Sequence, residues 1–111
     1  MKSAQELKEI SRQHQLLILE SDKMLQASSL LEKEMVDYIM SSEKYTTNFV
    51  LFYDSDLYKK ITELVDIFQF KQYLFLLGYE IYNHEICIDG FEKWVTNGLE
   101  ISWNKDYKIY F

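Results

Sequence analysis

The chain of 111 residues carries 18 Asp and Glu against 12 Lys and Arg, a net charge of −6, and Arg12 is its one arginine. Phosphate recognition needs clustered Lys and Arg, so nucleic acid is not the expected partner, whereas an acidic surface suits a protein with a basic one. With 48% apolar and 27% charged residues, the composition fits one folded domain, residues 1–111, with a real core and no cleft between lobes.

Cys87 is the single cysteine, which excludes an intrachain disulfide and a cysteine-built zinc site; a buried thiol acting as a small apolar side chain is expected. The stretch after Met1-Lys2, Ser3 to Arg12, is polar, so no secretory signal is expected. The longest uncharged runs, 45–53 and 72–79, are too short to cross a bilayer. A cytoplasmic protein without membrane contact is the expectation.

The two Trp, nine Tyr and seven Phe all lie at or beyond Tyr38. The preceding segment is rich in Leu, Met, Glu, Lys and Gln, which keep their rotamer freedom in a helix, while aromatic and β-branched residues suit a pleated surface. Residues 1–42 therefore read as helical and residues 46–111 as strand, helix and β-meander. Ser3-Ala-Gln-Glu6 is a capping box. A heptad frame follows, with d positions Ile10, Leu17, Met24, Leu31 and Tyr38 and a positions Leu7, His14, Ser21, Ser28 and Met35, three of them polar. Two readings stand: one helix to about Ser42 that pairs with a second copy through this seam, or a helix broken near Ser21-Asp22 or Ser28-Ser29, where Ser29-Leu-Leu-Glu32 is a second capping-box match. The broken form is favoured, because Leu16-Leu17-Ile18-Leu19 is apolar all round and suits a helix covered on several sides. His14 reads as a seam or surface residue, not as a ligand.

Thr46–Tyr53 is β-branched and aromatic and reads as a strand. Asp54 or Ser55 then caps a second helix, with Leu57, Ile61, Leu64, Val65, Phe68, Phe75 and Leu76 at helical spacing up to Gly78 as its terminator. Asp89-Gly90 and Asn97-Gly98 are hairpin-turn dipeptides, so Tyr79–Ile88, Phe91–Thr96, Leu99–Trp103 and, after Asn104-Lys-Asp106, Tyr107–Phe111 read as a four-stranded antiparallel meander. That register places Trp94, Leu99, Ile101, Trp103, Tyr107, Ile109 and Phe111 on one face, with a bulge near Asn83-His84 in the first strand. The fold class is α+β. The aromatic residues read as core and half-buried sheet; an exposed aromatic patch for a partner is the sharper alternative.

Chemistry is sparse. The chain has no glycine-rich phosphate loop, G-x-S-x-G, H-E-x-x-H or C-x-x-C. His84 and Cys87 are three apart on a strand and point to opposite faces. Asp54/Asp56, Glu32/Glu34 and Glu63/Asp66 read as caps and solvated helix faces. No catalytic residue, metal site or cofactor is expected, and the protein reads as a binding module. Asp54, Asp56, Glu63 and Asp66 are its candidate contacts to a basic partner. Ile10, Leu17, Met24, Leu31 and Tyr38 are the candidate seam of a homodimer, and a homo-oligomeric scaffold is the alternative function.

At Leu77-Gly-Tyr-Glu-Ile81 and Leu99-Glu-Ile-Ser-Trp103 the chain resembles small bacteriophage-encoded accessory proteins, which often end a helix on Leu-Gly-Tyr and close on an Ile-Ser-Trp strand. The resemblance covers the last third. It implies a host-takeover or anti-defence protein, of which anti-CRISPR proteins are one kind, that inhibits or redirects a host protein in the host cytoplasm. It carries over no functional residue.

Overall fold

In a computed structural model, which describes residues 1–88, 90 and 93–103, the order of elements is α1 (Ala4–Leu19), α2 (Asp22–Ser41), β1 (Asn48–Phe52), α3 (Asp56–Leu64), α4 (Ile67–Leu77), β2 (Glu80–Ile88) and β3 (Lys93–Ser102). The α+β class holds. Each helix starts on a capping side chain, and those of α1, α2 and α3 are legible in the chain. Ser3 and Glu6 form the capping box of α1, and the Ser21, Ser55 and Asp66 side chains accept from the amides of Met24, Tyr58 and Gln69 to open α2, α3 and α4. Gly78 ends α4 at φ +110°, a conformation open to glycine.

The N-terminal helix is broken at Glu20-Ser21, one of the two expected points. Ser29 lies inside α2 and caps nothing. The break divides the heptad seam. Met24 and Leu31 face the protein's own core, while Ile10 and Leu17 on α1 are exposed and Tyr38, half-exposed, meets the Phe49 ring edge-on at 5.6 Å. One continuous seam through all five residues is therefore excluded. The run 16–19 is covered on one side, with Leu16 and Leu19 against the core and Leu17 and Ile18 in solvent.

The expected second helix is two. Val65 is extended and Asp66 restarts the chain as a cap, which resets the helical phase. Ile61 is buried on α3, but on α4 the buried residues are Phe70, Tyr73 and Leu74, and Phe68 is 73% exposed.

Among the described residues the sheet has three antiparallel strands in the order β1-β3-β2, and the expected second and third strands of the meander are one strand, β3. Asn97-Gly98 makes no turn: β3 runs straight through it, with Gly98 opposite Phe52 of β1 and His84 of β2. Close approach of β1 explains the glycine, since a methyl group there would lie 2.6 Å from the Leu51 carbonyl oxygen. The expected bulge is present, between His84 and Glu85, and its extra residue is Asn97 on β3. Because β3 is one strand, Trp94 does not oppose Ile101; it pairs with Cys87 and is 63% exposed. Gly90 has φ +85°, yet Ile88 pairs with Lys93 and not with Phe91, so the register is not that of a two-residue turn at Asp89-Gly90. The expected loop Asn104-Lys-Asp106 and strand Tyr107–Phe111 lie outside the described residues.

α2 is the spine of the core. Met24, Ala27, Leu31 and Met35 recur every three or four residues and are buried on one stripe. They cluster with Ile61, Phe70, Tyr73 and Leu74 of the short helices and with Leu51, Leu99 and Ile101 on the inner sheet face. Each of the large side chains contributes roughly 1.5–3 kcal/mol by leaving water.

Candidate functional site

The register fixes which backbone groups of β1 are used. Trp103 donates to the Thr47 carbonyl and Tyr53 donates to the Asn97 carbonyl, both at 3.0 Å. In an antiparallel pair both polar groups of a residue point to the same side and the side alternates. The odd positions of β1 therefore face β3, and Asn48, Val50 and Phe52 turn their N–H and C=O groups to the free edge. The Phe52 carbonyl is taken up there by the Ser55 amide at 3.1 Å and the Ser55 hydroxyl at 2.6 Å. That tight turn leads into α3 and closes one end of the edge. Among the described residues nothing pairs with the edge at Val50.

A groove of about 420 Å³ runs along this edge, lined by Phe49–Phe52 of β1, Glu34 and Tyr38 of α2, and Ser55 and Leu57 at the start of α3. Glu34 and Tyr38 are one turn apart and so present one wall. Inside, the lining is mostly apolar. Glu34 lies in the wall and Asp54 and Asp56, both exposed, flank Ser55 at its closed end. Four residues of strand at about 3.3 Å each span roughly 13 Å, room for a short extended segment laid beside β1.

The four acids expected to meet a partner do not form one cluster. Asp54 and Asp56 adjoin the groove residue Ser55 in sequence and are not among the residues that line the groove. Glu63 and Asp66 stand at the far end of α3, where Asp66 is the cap of α4, held by the Gln69 amide at 3.2 Å. Sequence reasoning missed Glu34, Tyr38, Val50 and Leu57. Their only signal was the β1 strand itself, whose pairing partner decides which edge is free.

The outer face of the sheet carries polar rows. Asn48 donates to Glu100, and Tyr82 donates to Glu80, which with burial and the nearby carboxylates holds the Tyr82 hydroxyl above its ordinary range. With no side chain at Gly98, the Phe52 and His84 rings meet edge-on across it at 5.6 Å, and His84 Nδ1 lies 2.6 Å from Asn97 Oδ1. The His84 ring is thereby engaged in packing. Cys87 is exposed, against the expectation of a buried thiol, because it lies where β2 and β3 extend beyond the end of β1. His84 and Cys87 do point to opposite faces. Among the described residues no group of three or more His, Cys, Asp or Glu is placed to hold a metal ion, and no helix is long and apolar enough to cross a membrane.

No family model matches the chain, and neither the curated proteins nor the solved structures contain a significant match to it. The groove must be read from its own chemistry.

Proposed function

We propose that this chain is a small acidic protein-binding module that takes an extended segment of a partner protein as an added strand on β1. The observation that supports this reading is the edge at Val50, unpaired among the described residues, within an apolar groove lined by Glu34 and by Ser55, whose sequence neighbours Asp54 and Asp56 are exposed. An added strand gains main-chain hydrogen bonds from the edge, and alternate side chains find the groove. Carboxylates at the rim select Lys or Arg flanking the inserted residues and speed the encounter. In line with the phage-accessory resemblance, the role proposed is to occupy a basic, strand-forming segment of a host protein and so inhibit or redirect it.

Selection of random seven-residue peptides against the full chain tests this. The expected winners alternate β-branched or aromatic residues with Lys or Arg, and lose binding as salt rises. They should fail to bind Val50→Pro, which removes one edge N–H while leaving the bonds to β3 in place. Peptides that bind wild type and Val50→Pro equally, or no enrichment at all, would reject strand addition at β1.

A further inference from the structure

α1 is amphipathic twice over. Arg12, Leu16 and Leu19 fall on the side packed on α4, where the Arg12 guanidinium donates to the Leu76 carbonyl at 2.9 Å. At 100° per residue, Leu7, Ile10, His14, Leu17 and Ile18 fall on the opposite side. There they are exposed, Leu7 by 51%, Ile10 by 49%, Leu17 by 70% and Ile18 by 63%. Glu9 and Arg12, tied by a 2.6 Å ion pair, lie off this stripe, and Glu6 at its border is engaged by Ser3 in the capping box.

We propose that this stripe docks a second copy of the chain, two α1 helices lying antiparallel about a two-fold axis at the level of Arg12. The spacing is self-complementary. Positions 7 and 17 are equidistant from 12, as are 10 and 14, so each Leu7 meets the other copy's Leu17 and each Ile10 meets the other copy's His14, the a-to-d layers of an antiparallel helix pair. Extension into α2 is closed off, because Met24 and Leu31 of the same heptad frame are buried in the protein's own core.

Full burial of a Leu or Ile removes on the order of 100 Å² of apolar surface, so what the four apolar residues still expose adds to about 450 Å² over two copies. That apolar area is below the roughly 1,000 Å² of specific interfaces, and the dimer is accordingly weak and concentration-dependent. It leaves the β1 edge free and stands or falls independently of strand addition there.

Sedimentation equilibrium of the full chain from about 5 to 500 µM tests the proposal. The weight-average mass is expected to rise from 13.4 kDa toward twice that value, and Ile10→Glu with Leu17→Glu should hold it at 13.4 kDa without lowering the melting temperature, since both side chains lie outside the core. Should the charged pair fail to fold, Leu17→Gln replaces it and should weaken association at least tenfold. A wild-type monomer at 500 µM overturns the proposal, and so does a dimer that survives these substitutions. In a Cys87→Ser background, Ser11→Cys, next to the axis, should form the cross-linked dimer at least tenfold faster than Leu7→Cys; the reverse order overturns the antiparallel arrangement.

Discussion

Replacing Gly98 by alanine tests the pairing of β1 with β3, on which the groove depends. The new methyl group would lie 2.6 Å from the Leu51 carbonyl oxygen, 3.0 Å from the Phe52 Cα and 3.2 Å from the Leu51 carbonyl carbon. All three are backbone atoms of a neighbouring strand and cannot swing aside, so the strands must part by several tenths of an ångström. Overpacking of this kind costs about 1–3 kcal/mol, and alanine recovers about 0.5–1 kcal/mol by stiffening the unfolded chain. With the cost at the upper end of that range, because the 2.6 Å clash is with backbone, the net loss expected is about 2 kcal/mol, a fall in Tm of roughly 8–10 °C for a domain of this size. Gly78→Ala is the control: nothing lies within 4 Å of its added methyl group, and only the left-handed backbone at φ +110° opposes it, at about 1 kcal/mol. Thermal unfolding followed by circular dichroism reads both. A Gly98→Ala protein that melts within 2 °C of wild type, or above Gly78→Ala, would refute the placement of β1 against Gly98.

Ser21→Ala should cost about 1 kcal/mol by removing the cap of α2, while Ser29→Ala, inside the helix, should stay within about 0.5 kcal/mol of wild type; urea midpoints distinguish them. The Arg12 guanidinium and then the Gln13 amide hold the Glu9 carboxyl at about 2. A depressed folded value contributes stability above the ordinary carboxylate range that is lost as pH falls toward 2. The urea-midpoint gap between wild type and Glu9→Gln should therefore narrow from pH 5 to pH 2.5, and a constant gap would contradict it. Burial, with the charge and hydrogen bond of Glu20, raises the Tyr73 hydroxyl above its ordinary 10. Its contribution is complete below 10 and is lost as pH climbs toward the raised value, so Tyr73→Phe should lose less stability than wild type between pH 9 and 11.

Local signals in the chain were reliable where one residue decides the geometry. Ser3, Ser21, Ser55 and Gly78 bound their helices because capping is settled within a few residues. Signals that depend on a distant partner failed. Asn97-Gly98 has the form of a hairpin turn, yet β1, some 45 residues earlier, docks on β3 and needs the glycine for its own backbone. The heptad frame was real in its spacing, but the Ser21 cap handed its second half to the core and left its first half outside. Asp66 reset the phase of α4, so Phe68 and Phe70 exchanged sides relative to an unbroken helix. Of the groove, the chain announced the strand and the acids of Asp54-Ser-Asp56; the α2 wall at Glu34 and Tyr38 is a product of tertiary packing.

Amide hydrogen exchange at Val50, with and without a selected peptide, tests strand addition most directly. In the free chain the Val50 amide should exchange at least tenfold faster than those of Phe49 and Leu51, which bond to β3, and a bound peptide should slow Val50 by at least tenfold while leaving its neighbours unchanged. A Val50 amide already protected in the free chain, or unaffected by a bound peptide, would contradict the proposed site.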